Sequence, residues 1–102
     1  MENKKTIFYI GHNDKDTHKQ EKSNTEIKSI IEQCLYNANI DGATITAGLV
    51  GYWKGERENT TQILCYYLTD EKIATFCELI KKALNQEAVA VEIINNIQVN
   101  FM

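Results

Sequence analysis

Apolar residues recur along this chain at two spacings, every second position or every third and fourth, and the switches between them order its elements. "TIFYIG" (Thr6–Gly11) is a β-branched and aromatic run closed by glycine and reads as a strand. A polar stretch follows as far as residue 23. There Ser23-Asn24-Thr25-Glu26 has the form of a capping box, in which the serine oxygen accepts an amide hydrogen bond and Glu26 reaches back. Beyond it Ile27, Ile30, Ile31, Cys34, Leu35 and Ala38 fall on one stripe of a helix that ends near residues 37–39, before the Asp41-Gly42 turn. "ATITAGLVGYW" (Ala43–Trp53) reads as a strand with Ile45, Ala47, Leu49 and Trp53 on one face and Thr44, Thr46, Val50 and Tyr52 on the other. "KGEREN" is a polar turn segment, and "TTQILCYYL" (Thr60–Leu68) returns as the partner strand. In this hairpin Gly48 and Gly51 mark a bulge or a close backbone approach. Thr69-Asp70 caps a second helix, carried by Ile73, Phe76, Cys77, Ile80 and Leu84 and closing around Asn85. Last, Val89, Val91 and Ile93 alternate in phase with Ile97, Val99 and Phe101, so the end of the chain reads as a strand plus a short extension past Asn95-Asn96.

The order is β-α-β-β-α-β, which predicts an α+β, ferredoxin-like sandwich: an antiparallel sheet with two helices on one face. The other face should be polar if it met water. Instead Leu64, Tyr66 and Leu68 stand on one side of the third strand and Ile63, Cys65 and Tyr67 on the other. A sheet apolar on both sides needs a second cover, and another copy of the same sheet supplies one. The pattern therefore predicts a homo-oligomer, most simply a two-fold dimer.

Composition narrows the picture. The 102 residues suit a single domain spanning 1–102 with an adequate core. A net charge of −3 and the lack of any basic run argue against nucleic acid as partner. No apolar stretch approaches a membrane span, and "MENKKTIFYIG" is too short in apolar residues for a signal-peptide core, so a cytoplasmic protein is expected. Cys34, Cys65 and Cys77, odd in number and set among apolar residues, read as reduced, buried thiols.

Candidate chemistry is sparse. "GHNDKDTHKQ" (Gly11–Gln20) places His12, Asp14, Asp16 and His18 at alternate positions. Counted from Asp14 as a calcium loop, the sixth residue is Lys19 and the twelfth is Thr25, where glycine and glutamate are needed. Lys15, Lys19 and Lys22 oppose any other cation, so the stretch reads as the solvated connector before the first helix, and no metal is expected. The hairpin segment "GYWKGERENTT" is the stronger candidate: Tyr52 and Trp53 beside Lys54 and Arg57 can stack on a ring or on a partner's side chain. Glu87, at the end of the second helix, can pair with Arg57 or Lys54 across the sheet. No nucleophile–base pair, phosphate-cradling glycine loop or zinc spacing is present, and no cofactor is implied.

Three features in order resemble a small bacterial family, domain of unknown function 3574. "DGATI" (Asp41–Ile45) is similar to that family's Gly-x-Thr-Val lead into its second strand. "GYWKG" (Gly51–Gly55) is similar to its Gly-x-Trp followed by a basic residue. "LNQEAVAVEI", from Leu84, resembles its Gln-Glu-Ser-Val lead into the last strand, with Ala88 in place of the serine and Phe101 as the terminal phenylalanine. The resemblance spans roughly residues 7–11 and 41–101 and implies no activity. "GATITAGLVGYWKG" is also similar to the second-strand pattern of PII and PII-like proteins, which implies a trimeric sensor of nucleotides and metabolites. The hairpin loop here is short, however, and no basic cluster follows Glu87 to hold phosphates. The reading that results is a non-enzymatic homo-oligomer acting through the Tyr52–Trp53 hairpin and the subunit cleft. The alternatives are a small dimeric enzyme with Glu87, Tyr66 or His12 as acid–base groups, or a PII-like sensor.

Overall fold

Ser23 and Thr69 start the two helices. In the computed structural model, which describes residues 3–102 and so begins after Met1 and Glu2 of the basic amino-terminal segment, Ser23 Oγ accepts from the Glu26 amide at 3.1 Å. The Glu26 carboxylate in return accepts from the Ser23 amide at 3.3 Å, completing the box that opens α1 (Asn24–Asn37). Thr69 Oγ1 accepts from the Lys72 amide at the head of α2 (Asp70–Ala83). Asp70 and Glu71 in its first turn and Lys81 and Lys82 in its last complement the helix dipole. Each helix gives way to an asparagine in the left-handed region, Asn39 and Asn85, a conformation this side chain tolerates better than most.

Four strands, β1 (Lys4–Gly11), β2 (Thr44–Trp53), β3 (Glu56–Tyr66) and β4 (Ala90–Asn95), form one antiparallel sheet in the order β2-β3-β1-β4. With two helices covering one face, this is the ferredoxin-like βαββαβ architecture that the pattern of the chain predicts. Register fixes which side chains meet the helices. Phe8 lies between Ile63 and Val91, and Thr6 between Cys65 and Ile93. Phe8, Ile10, Ile63 and Cys65 pack against Ile27, Ile31 and Leu35 of α1 and Ile73, Phe76 and Ile80 of α2. At the centre the Phe8 and Phe76 rings meet edge to face, 4.7 Å apart and both fully buried. Burial pushes the Cys65 thiol up to about 11, which keeps it protonated and inert at neutral pH. At the margin of the core, buried Lys4 pairs with Asp70 at the start of α2. Among the described residues no helix is long and apolar enough to cross a membrane.

Three sequence expectations change. "KGEREN" is not a turn segment: the turn is Lys54-Gly55 alone, both in the left-handed region as a tight two-residue hairpin demands, and Glu56–Asn59 already pair with β2. A bulge between Thr46 and Leu49, with Gly48 at φ +79°, inserts one extra residue into β2. Strict alternation therefore fails across it. Ile45, opposite Ile63, faces the helices, whereas Leu49 and Trp53, opposite Thr60 and Glu56, emerge on the uncovered face. Finally, β3 stops at Tyr66. A left-handed Tyr67 turns Leu68 into the core, away from the side that Leu64 and Tyr66 share. The end of the chain is a strand plus a short extension, as expected: β4 ends at Asn95, and beyond Asn96 Phe101 rests edge-on against Tyr66.

Candidate functional site

The uncovered face of the sheet carries Lys5, Ile7, Tyr9 and Gly11 of β1, Thr60, Gln62, Leu64 and Tyr66 of β3, and Leu49, Gly51 and Trp53 of β2. Tyr9, Trp53 and Ile94 remain substantially exposed on it. At the end where β1 finishes and β4 begins, this face sinks into a cleft of about 730 Å³. Two glycines make the floor. A β-carbon on Gly51 would lie 2.6 Å from Thr60 Oγ1, and one on Gly11 would occupy the space now taken by the Glu58 carboxylate. Without side chains at these two positions, Thr60 and Glu58 lie flat over the strands and the depression stays open.

The hairpin tip and the segment leading into β4 form the walls. Trp53, half exposed, stands on the hairpin side with the Lys54 ammonium 5.8 Å from its ring centre. Lys54 reaches across to Glu87, meeting its two carboxylate oxygens at 3.1 and 3.2 Å. This pair bridges the rim and, with Lys54 as the leading cause, holds the Glu87 carboxyl below its ordinary range. Both partners are largely solvated, so the pair contributes little to stability and acts mainly to set the hairpin's position.

The polar connector "GHNDKDTHKQ" closes the end of the cleft. Asp14 accepts from the backbone amides of Asp16 and Thr17 and from Asn85 Nδ2, which also donates to Asp16. These contacts hold the Asp14 carboxyl below its ordinary value, the Asn85 bond first. Gln86 donates to the Asn13 carbonyl, and the Asn13 amide donates to the Glu58 carboxylate at 3.1 Å. The four metal-capable side chains of this stretch go separate ways. His12 turns to the helix side, buried between Asn24 Oδ1 at 3.1 Å and Thr61 Oγ1 at 2.8 Å, while His18 meets Glu56 at 3.2 Å in solvent. No group of three potential ligands is gathered among the described residues.

Of the residues singled out from the sequence, Trp53, Lys54 and Glu87 come together. Tyr52 lines the outer edge of the cleft, but its strand partner Arg57 does not line it, and Glu87 pairs with Lys54 rather than Arg57. Of the alternative acid–base groups, Glu87 lines the cleft, whereas Tyr66 lies at the far end of the face against Phe101 and His12 lies beneath the sheet. Glu58, Gly11 and Tyr9 belong to the site and carry no signal in the sequence except strand parity. Counting back from Ile63 puts Glu58 on the face opposite the core, a deduction blocked as long as residues 56–59 are taken for a loop.

No protein-family model matches the chain, and no curated protein matches it by sequence. Solved structures are similar in fold. A phage SAM lyase in the apo state shares 22% identity over 92% of this chain and 81% of its own, with a TM-score of 0.63. The nitrogen regulatory PII-like protein CPII from Thiomonas intermedia K12, solved with ADP, AMP and bicarbonate, shares 18% identity over 95% of this chain and 91% of its own, with a TM-score of 0.60. A phage SAM lyase in complex with S-methyl-5'-thioadenosine shares 20% identity over 90% and 80%, with a TM-score of 0.56. At these identities the likeness is one of fold, and function has to be argued from the site.

Proposed function

We propose that this chain is a homo-oligomeric binding module for a small ligand bearing an adenosyl group, held in the cleft at the hairpin end of the uncovered sheet face. The observation that carries the reading is the cleft itself: glycine-floored, walled by Trp53 and rimmed by the Lys54–Glu87 bridge. Its volume falls in the range of small-molecule sites. An exposed indole beside a flat floor suits a purine ring. Two proteins of similar fold were captured with adenine-containing molecules, S-methyl-5'-thioadenosine in one and ADP and AMP in the other. The apolar residues left exposed on the same face, Tyr9, Trp53 and Ile94 among them, support a second copy as the missing cover.

A second reading, an enzyme acting on an adenosyl ligand, is favoured by one feature, the Glu58 carboxylate lying inside the cleft. Calorimetric titration with S-adenosylhomocysteine, S-methyl-5'-thioadenosine and AMP tests the binding reading, and chromatography of the recovered ligand separates module from enzyme. Saturable binding of at least one compound, weakened about tenfold or more by Trp53→Ala, is expected. Light scattering should give a mass at least twice that of the chain. A monomer would overturn the oligomer.

A further inference from the structure

We infer that the cleft selects a positively charged adenosyl compound over its uncharged and phosphorylated relatives, and that Glu58 is the residue that reads the charge. The inference rests on the adenosyl reading above. Four carboxylates, Asp14, Glu56, Glu58 and Glu87, line the cleft against two lysines, Lys15 and Lys54. Three of the four are already answered. Glu87 holds Lys54, Glu56 meets His18, and Asp14 accepts from Asn85 and two backbone amides.

Glu58 differs. Among the described residues it forms no salt bridge, and its hydrogen-bond donor is the single amide of Asn13. A carboxylate has roughly four acceptor positions, so most of its capacity is unspent. The nearby His12 does not neutralise it, because both ring nitrogens are engaged by Asn24 and Thr61 and the ring is buried on the other side of the sheet. The carboxylate lies over Gly11, where any larger residue would push it aside.

A half-buried anion beside an aromatic wall attracts a compact cation and repels phosphate, and the repulsion grows with every phosphate added. The opposite device is weaker: Lys54 is occupied by Glu87, and Lys15, the second lysine of the lining, also acts on the Glu87 carboxylate, so four carboxylates outweigh two lysines. A sulfonium or ammonium group attached to an adenosyl ring system fits this distribution of charge.

The test compares three ligands by calorimetry: sinefungin, which carries an amine; S-adenosylhomocysteine, its uncharged thioether counterpart at that position; and ADP. The full-length protein should bind sinefungin about tenfold more tightly than S-adenosylhomocysteine and ADP most weakly of the three. Glu58→Gln should bring the first two within about twofold of each other. S-adenosylhomocysteine binding by the variant and an unchanged far-UV spectrum show that the cleft is intact. Equal binding of the first two by the unmodified protein, tighter binding of ADP, or a preference that survives Glu58→Gln would overturn the inference and leave the adenosyl reading standing. If none of the three binds, the adenosyl reading falls and the inference falls with it.

Discussion

At His12 a buried imidazole faces two fixed partners. Asn24 Oδ1 can only accept, so the Nδ1–H donates to it, which leaves Nε2 to accept from the Thr61 hydroxyl. Burial is the main cause that lowers the ring's pKa from its ordinary 6.5. The unfolded chain therefore takes up a proton before the folded chain does. Stability from this residue is complete above about pH 6.5 and falls as pH drops from there through the lower folded value. Urea unfolding at about pH 7.5 and about pH 5.5 should show the loss, and His12→Gln should flatten it. Asp14 and Glu87, whose carboxyls lie below their ordinary values, weaken only at more acidic pH, so the two effects separate. The sequence made His12 conspicuous as a possible ligand. Its real setting depends on Asn24 and Thr61, distant in the chain, and no local pattern announces them.

At the scale of the element, the helices were the most legible part of the sequence. Capping chemistry is local and helical spacing repeats over several turns, so Ser23, Glu26 and Thr69 announced the starts unaided. Ser23→Ala removes the acceptor for the Glu26 amide and should cost about 1 kcal/mol in urea unfolding without changing the fold. An effect below about 0.3 kcal/mol would mean the cap is redundant. The hairpin was less legible. Glu56, Arg57 and Glu58 look like loop residues because they are charged, yet they are paired strand residues held by a turn of two. Past the last strand the alternation of Ile97, Val99 and Phe101 continues where the ladder does not. Alternation reports which residues seek burial, and a ladder also needs a free neighbour.

For the whole molecule, one face of the sheet is closed by helices and the other is left with aromatic and aliphatic side chains in view. That asymmetry was readable from the sequence as strands apolar on both sides, and it is why a second copy is expected. The cleft was not readable, because it is assembled from five chain segments, the ends of β1 and β2, the connector after β1, the start of β3 and the lead into β4. The bulge in β2 has a further bearing on how such a protein tolerates change. A ladder keeps count of pairs, and the extra residue near Gly48 is one that the count omits: Thr46 still meets Gln62 and Leu49 still meets Thr60. A chain shortened by Gly48 should thus keep its far-UV spectrum and its cooperative unfolding, with Trp53 on the same face. Losing one residue at Leu64, inside the unbroken part of β3, should invert half a strand and abolish folding. The strand that carries the tryptophan wall holds one residue of slack, so length variation can accumulate there without dismantling the sheet beneath it.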